Sequence, residues 1–413
     1  MTGKSGARRG LLWGGIASAI VLVLIVSLWF FPWLWDRSPA DGLVTQGEPH
    51  LVHRDDGSAM WVAFNEQEEA VRGLDLEGTQ LWSAYGVRHP GKNCAASSSR
   101  VLCLTEEGLT RLDLGSGSFR LVDIAGEYGL PAGVQVRDFA LGADNSLLLL
   151  VAAQPFGEEA VLLSADGERL GSVELKLGDR RRPHPAQYVT HLTSTLHYVS
   201  SRGALLFGPD EEHFSLLDAA TPGAGVTDVA GRVVGLAGGY AVANVSGEHQ
   251  IVNLHGEVQA AGDAAGLLIG EDGIEPRGFF RVEGERVEAF DLELKSLWAT
   301  QVPGAKVAEQ EKEAQPEFFG YRPARHCGNM LLVPTGGETL ALESDTGRLA
   351  WRSAGRQPKG CVAGKAVLAG ERDAQLVDPA NGGVERTLSV QAESVSERGI
   401  LVNRGEGEWV VHR

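Results

Sequence analysis

The sequence predicts an all-β fold in which four-stranded units repeat around an axis, that is, a β-propeller. A phrase made of an apolar run, a polar turn and a second short apolar run recurs from near residue 70 almost to the C-terminus, with about 34–38 residues between several neighbouring copies. Glycine is abundant, at 54 of 413 residues, as a protein with many turns requires. No segment after residue 36 sustains the apolar period of a helix, so helices are expected to be minor.

The clearest copy of the repeated phrase is Thr339 to Arg352, which reads T-L-A-L-E-S-D-T-G-R-L-A-W-R. Two strands joined by a tight turn containing Gly347 fit this pattern better than a helix does. A second pair of short apolar segments precedes each hairpin, so each unit is expected to supply about four strands. The weaker copies lie at residues 73–82, 111–120, 162–170, 216–223, 251–258, 289–298 and 375–384.

The number of units follows from these hairpins. Eight are visible, and residues 394–413 add part of another unit. We therefore expect about eight blades, with the two ends of the chain sharing one or packing at the closure, and seven is the alternative count. The predicted propeller covers residues 49–413 and follows a short linker over residues 36–48, which is rich in Pro, Gly and polar residues.

The N-terminal segment, residues 11–35, is predicted to be a transmembrane signal-anchor helix. It holds no ionisable side chain over 25 residues, and at 1.5 Å per residue it spans roughly 37 Å, enough to cross a bilayer core of about 30 Å. Three basic residues precede it, so residues 1–10 are expected in the cytoplasm and the propeller on the extracytoplasmic side of the cell membrane. A cleaved signal peptide is the alternative, disfavoured because its apolar core is usually about 7–15 residues long.

Charge and cysteine content narrow the function classes. The formal net charge of −17 disfavours nucleic-acid binding, which needs clustered basic residues. Cys94 and Cys103 flank a small polar turn, while Cys327 and Cys361 are one repeat length apart and open equivalent strands of their units. An even number of cysteines in an external domain permits disulfides, so we predict the bridges Cys94–Cys103 and Cys327–Cys361, with free buried cysteines as the alternative.

The motif A-L-E-S-D-T-G-R-L-A-W-R resembles the PQQ-like β-propeller repeat family, and at the level of the repeat the resemblance covers roughly residues 50–413. Blades of that family carry an early acidic residue, a T-G turn and a docking tryptophan near the outer strand. Trp82, Trp298 and Trp351 match this tryptophan, and Phe119 and Leu170 stand in for it elsewhere. The acid is matched by four aspartates and, in the best copy, by a glutamate: Asp75, Asp113, Asp218, Asp291 and Glu343.

The resemblance implies fold more strongly than function. The family includes quinoprotein dehydrogenases, which stack the quinone on a disulfide between adjacent cysteines and hold Ca²⁺ beside it. This chain has no Cys-Cys dipeptide, so no cofactor is predicted. It also lacks H-E-x-x-H, H-x-H, G-x-S-x-G and P-loop motifs, so no catalytic residue and no metal ligand are predicted.

The candidate binding surfaces are insertions that break the period. Residues 302–325 place a Glu-rich stretch beside Phe318, Phe319 and Tyr321, which are expected either to anchor a partner or to tuck under the propeller rim. Residues 178–191, with Arg180–Arg182 and His184, form a second insertion.

These observations favour a non-catalytic, membrane-anchored scaffold or binding module of the cell envelope, with a protein or other envelope component as its partner. The alternative is a membrane-anchored enzyme, quinone- or carboxylate-dependent, that works in the central channel of the propeller. A solute sensor is a third reading, although ten cytoplasmic residues leave little room to relay a signal.

Overall fold

The computed structural model describes residues 42–153, 157–175, 182–183, 199–207, 213–220, 226–245, 248–271, 275–305, 323–335, 337–396, 398–405 and 408–412. The chain divides into two compact units. One consists of residues 44–411 and 413, and the other of residues 1–43 and 412, of which only residues 42, 43 and 412 are described. The predicted cytoplasmic tail and anchor lie outside the described residues. Neither helix of the described part is long and apolar enough to cross a membrane.

Antiparallel meanders of four short strands build the larger unit, and within each of them the strands pair in chain order. In the fourth meander β14 and β15 both pair with β16, so together they supply its first strand. The strands of the first four meanders are β2 (Glu48–His53), β3 (Ala59–Asn65), β4 (Ala70–Leu74), β5 (Gln80–Tyr85), β6 (Cys94–Ala96), β7 (Val101–Thr105), β8 (Gly108–Leu112), β9 (Phe119–Leu121), β10 (Val136–Leu141), β11 (Leu147–Ala153), β12 (Gly157–Leu163), β13 (Arg169–Leu175), β14 (Arg182–Pro183), β15 (Val199–Ser200), β16 (Gly203–Phe207), β17 (His213–Asp218) and β18 (Val226–Ala230).

The next four meanders continue the same pattern. The sixth and seventh are joined into one sheet by a parallel pairing of their first strands, with Leu268 opposite Ala324. Their strands are β19 (Arg232–Ala237), β20 (Tyr240–Val245), β21 (Glu248–Asn253), β22 (Val258–Gly262), β23 (Ala264–Ile269), β24 (Pro276–Glu283), β25 (Arg286–Phe290), β26 (Ser296–Gln301), β27 (Ala324–Cys327), β28 (Met330–Pro334), β29 (Glu338–Glu343), β30 (Leu349–Ala354), β31 (Gln357–Val362), β32 (Lys365–Ala369), β33 (Ala374–Val377) and β34 (Val384–Leu388).

A ninth four-stranded sheet combines the two ends of the described chain. Its order is β1-β37-β36-β35, so the first strand of the chain occupies the outer edge beside the last. This arrangement agrees with the expectation that the chain ends share a blade. The strands are β1 (Gly42–Gln46), β35 (Ser394–Ser396), β36 (Gly399–Gly405) and β37 (Glu408–His412).

The sequence prediction of an all-β propeller is confirmed. All eight predicted hairpins are present as the third and fourth strands of the first eight meanders. The only helices among the described residues are α1 (Pro90–Asn93) and α2 (Ile124–Tyr128), so helices are minor as expected.

The segment predicted as a linker needs a correction, because β1 lies inside it. Leu43 and Thr45 are buried at 7% and 4% exposure while Val44 between them is 47% exposed, which is the alternation of a strand with one covered face. The strand is short and lies among Pro, Gly and polar residues, so it does not stand out from a linker in the sequence. Among the described residues, a strand is therefore already present at residue 42, ahead of residue 49.

The core lies between consecutive meanders. Val62 and Val71 of the first meander pack with Val101 and Leu112 of the second in one cluster. Val287 of the sixth meander shares a comparable cluster with Leu340 of the seventh. Apolar burial is the main favourable contribution to folding, so each unit is stabilised chiefly by its neighbours.

Three tryptophans on fourth strands reach into the turn of the following meander. The indole N–H of Trp82 donates to Leu114 O at 3.0 Å. The indole of Trp298 donates to Ser344 O at 2.6 Å, and Trp351 makes the same kind of bond over 2.7 Å to the carbonyl of Pro379.

A glycine lies under each of these rings. Gly117, Gly347 and Gly382 have φ values of 71°, 69° and 72°, a left-handed conformation that side-chain-bearing residues rarely adopt. A Cβ at Gly347 would come within 2.4 Å of the Trp298 ring, so the ring and the bare glycine require one another. The repeated Gly and Trp of the sequence motif thus serve packing between units.

Both predicted disulfides are present. Cys94 and Cys103 are directly paired residues of β6 and β7, with Cα atoms 4.0 Å apart. Cys327 and Cys361 connect the first strands of the seventh and eighth meanders. All four cysteines of the chain are therefore in disulfides, and none joins adjacent residues in the sequence.

Replacing Gly347 by alanine is expected to destabilise the protein more than replacing Gly364. Both glycines have positive φ, at 69° and 75°, but nothing lies within 4 Å of a Cβ at Gly364. Gly364→Ala should cost about 1–2 kcal/mol for the left-handed backbone, and Gly347→Ala should cost about 1–3 kcal/mol more because Trp298 must move. Thermal melting of the two variants tests this, and equal shifts would contradict the docking role of Trp298.

The two disulfides are expected to differ in their contribution. They close loops with separations of 9 and 34 residues, and loop entropy then gives about 2.6 and about 3.8 kcal/mol. Replacing Cys327 and Cys361 together by alanine should therefore lower the melting temperature more than replacing Cys94 and Cys103. The reverse order would show that strain or residual structure in the unfolded chain outweighs loop length.

Candidate functional site

The segment between β9 and β10, residues 122–135, departs from the regular meander. Asp123 caps α2 by accepting a hydrogen bond from Gly126 N at 2.9 Å. Gly129, at φ 63°, ends the helix in the left-handed conformation. The chain then passes through residues 131–135 without regular structure before β10 begins.

A cleft of about 740 Å³ lies between this segment and the second meander, and it is lined by residues 104–109, 121–125 and 131–137. Ligand pockets in proteins typically measure about 300–1,000 Å³. Most of the lining is apolar or backbone, and its four charged residues are three acids and one arginine: Glu106, Glu107, Asp123 and Arg137. The cleft therefore combines apolar walls with an acidic rim.

Leu121, at the end of β9, is the side chain that marks this cleft as unusual. It follows the left-handed Gly117 by four residues, and Trp351 follows the left-handed Gly347 at the same spacing. At this spacing the second meander carries a leucine. The strand β9 pairs with β8 without the register shift that lies between β29 and β30 at Ala341 and Leu342, so Leu121 is not turned towards the next meander as Trp351 is. Leu121 is 52% exposed rather than packed on the next meander, and β9 has only three residues, whereas the equivalent β30 has six.

The two expected substitutes for the docking tryptophan behave differently. Phe119 packs against the core between the first and second meanders, so it faces backwards and the expectation for it is wrong. The reason is the pairing of β9 with β8, in which Phe119 lies opposite Leu112 of the same core and no register shift turns the strand over. Leu170 packs against the core shared by the third and fourth meanders, in agreement with the expectation.

Tyr128 of α2 makes the contact that Leu121 does not make. Its ring is buried, at 7% exposure, and a Cβ on Gly167 in the third meander would lie 2.9 Å from its Cδ1 atom. Gly167 has φ 86°, so the pair repeats the arrangement of an aromatic ring over a left-handed glycine. The inserted segment therefore completes the packing between the second and third meanders and leaves Leu121 and its strand edge open.

A second polar cluster lies on first strands near the junction of the first and ninth sheets. Glu48 begins β2, and burial raises its pKa to about 8, with the charge of Glu393 adding to the effect. Lys359 of β31 donates from Nζ to the backbone oxygen of Glu393 at 3.1 Å. His50 stacks near Phe64 with ring centroids 4.9 Å apart, and burial lowers its pKa to about 4.

Of the predicted site residues, the cysteines and the three tryptophans lie in or between cores, as described above. The proposed partner-binding residues Phe318, Phe319 and Tyr321 lie outside the described residues, so their role stays a prediction. The cleft at residues 104–137 was not among the predicted insertions. One feature of the sequence does indicate an insertion there. The hairpins at residues 111–120 and 162–170 are about 50 residues apart instead of about 35.

Within the part of the chain that the structure describes, no group of three or more His, Cys, Asp or Glu side chains is placed to hold a metal ion.

Comparisons with known proteins concern the fold alone. No protein-family model matches the chain, and no curated protein matches it. Among solved structures, it is similar to BamB from Moraxella catarrhalis at 11% identity, covering 89% of this chain and 97% of that chain with a TM-score of 0.39.

Two further solved structures show similarity at the same level. The dihydro-heme d1 dehydrogenase NirN is 13% identical over 84% of this chain and 67% of its own, with a TM-score of 0.38. The quinohemoprotein alcohol dehydrogenase ADHIIG from Pseudomonas putida HK5 is 10% identical over 89% of this chain and 73% of its own, with a TM-score of 0.36. Likeness this distant assigns no activity to the chain.

The pKa of Glu48 leads to a prediction about stability against pH. Its folded pKa of about 8 exceeds the ordinary value of 4.5, so the folded state holds a proton that the unfolded state has lost. Stability should therefore fall as the pH rises from 6.5 to 8, by at most about 2 kcal/mol. His50, whose folded pKa of about 4 lies below 6.5, acts in the opposite sense and only at lower pH.

Melting temperatures at pH 6.5 and pH 8 test this effect in the wild type and two variants. Glu48→Gln keeps the size of the side chain but removes its titratable group, so the fall in melting temperature between pH 6.5 and pH 8 should become smaller. In His50→Phe the same fall should remain. A decline that persists in Glu48→Gln would assign the effect to other groups.

Proposed function

We propose that the chain is a non-catalytic scaffold of the cell envelope, anchored in the membrane by residues 11–35, whose propeller captures a protein partner on the extracytoplasmic side. The observation that carries the proposal is the cleft beside β9. It exposes the apolar Leu121, which follows the turn at the sequence spacing where three other fourth strands carry a docked tryptophan. An exposed apolar side chain in a concave site with a charged rim is typical of a binding surface.

The disulfides support the extracytoplasmic location. Structural disulfides persist in oxidising compartments and are rare in the cytosol, and this chain pairs all four of its cysteines. The apolar segment at residues 11–35, with its basic flank, is consistent with the same orientation. Phe318, Phe319 and Tyr321 are proposed as a second contact with the partner.

Site-specific photo-crosslinking in native membranes tests the capture of a partner. A photoreactive amino acid at Glu107, on the cleft rim, should give an adduct with one envelope protein. The same amino acid at Glu371, an exposed glutamate in the eighth meander, should give none because it lies far from the cleft in the chain order of meanders. Equal adducts from both positions would contradict the cleft, and cytoplasmic adducts would contradict the location.

A further inference from the structure

We propose that the cleft beside β9 receives its partner as an added β-strand, an extended and basic segment that pairs along the strand edge at Leu121. The inference rests on the proposed function and names the mode and chemistry of binding at the same site.

The backbone at Leu121 is oriented for such pairing. Val122 N donates inward to Leu109 O at 2.9 Å, and Leu121 lies opposite Thr110 of β8. Successive residues of a strand direct their backbone groups to opposite sides, so the N–H and C=O of Leu121 point away from β8. Neither group has a hydrogen-bond partner among the described residues, and Leu121 lines the cleft. An unpaired edge of this kind is a template for another strand.

The opposite wall distinguishes this edge from the other outer strands. Residues 131–137 face β9 across the cleft, and they bring Pro131, Val134 and Val136 to its lining. Side chains of an added strand would alternate, with one set directed to these apolar groups and Leu104 and the other set towards solvent and the rim.

The charges select a basic segment. The lining carries three acids against Arg137, and of these Glu106 is already paired with Arg88 at 3.1 Å in an exposed ion pair. Glu107 makes no ion pair among the described residues, and Asp123 adds its charge beside α2. The whole chain has a net charge of −17, so a cationic segment is attracted at long range as well as at the rim.

The test uses the full chain and a fluorescein-labelled peptide of alternating valine and lysine, followed by fluorescence anisotropy. The peptide should bind saturably, and N-methylation of its backbone at alternate residues should weaken binding about tenfold or more because the strand hydrogen bonds are lost. This arm uses the wild-type protein, so it does not depend on a variant that folds poorly. Equal affinity for the two peptides would overturn strand addition.

Two variants with a matched control locate the site. Leu121→Pro removes the outward N–H, while the hydrogen bond from Val122 N to β8 remains. The variant should bind the peptide about tenfold more weakly. Leu297→Pro places a proline at another exposed leucine of a fourth strand, 53% exposed in β26, and should leave binding unchanged. Glu107→Lys should weaken binding through repulsion, and undiminished binding to both Leu121→Pro and Glu107→Lys would overturn the assignment.

The experiments distinguish a failure of the proposed scaffold function from a failure of strand addition. An adduct from Glu107 combined with insensitivity to N-methylation would keep the scaffold function and exclude strand addition. An adduct with a second copy of this chain would exclude a basic partner segment. The absence of both a Glu107 adduct and saturable peptide binding would overturn both proposals.

Discussion

The contact on which this fold depends is an aromatic ring of one meander lying over a left-handed glycine of the next. A single four-stranded meander is too thin to bury both of its faces, so its stability comes from neighbours. The pairs Trp82–Gly117, Trp298–Gly347 and Trp351–Gly382 supply this connection with a ring packed on the glycine and one hydrogen bond from the indole. The glycine is needed for two reasons at once, because a Cβ would strain the turn and would also collide with the ring.

The same contact explains how far the sequence alone predicts the structure. Each of the three tryptophans follows a turn residue of positive φ by four positions, so the hairpins and the unit repeat can be recognised in the printed residues. Both disulfides follow from the even number of cysteines and their positions in the repeat. The strand β1 could not be recognised, because a five-residue outer strand between Pro39 and Gly47 has the composition of a linker. The cleft could not be recognised for a different reason. Its residues are not distinctive by type, and it exists because β9 ends early while α2 continues the packing.

In the native chain Tyr128 takes the role of a docking tryptophan. This shows how such a fold gains a binding surface while its neighbouring meanders stay packed. If Leu121 were simply left undocked, the junction of the second and third meanders would have no ring over a glycine of the kind that three other junctions have. The inserted helix places the Tyr128 ring over Gly167 instead, so the junction stays closed in its interior. Because the new ring comes from outside the strand, β9 has no docking role, and Leu121 at its end lines the cleft. One segment, α2, therefore stabilises the junction between the meanders, and another, β9, stays accessible to a partner.

The repeat also limits how far the effect of the inserted segment extends. In a chain of repeated units each meander contacts only its neighbours, so an insertion alters the interface where it occurs and leaves distant interfaces as they were. The regular Trp–Gly contacts flank the altered junction on one side and recur later in the chain, and they hold the scaffold on which the cleft is presented. A rigid frame lowers the entropic cost of ordering a partner, because only the incoming segment must become fixed. The geometry of the cleft beside β9 is therefore set by the repeat, and its accessibility is set by the inserted segment at residues 122–135.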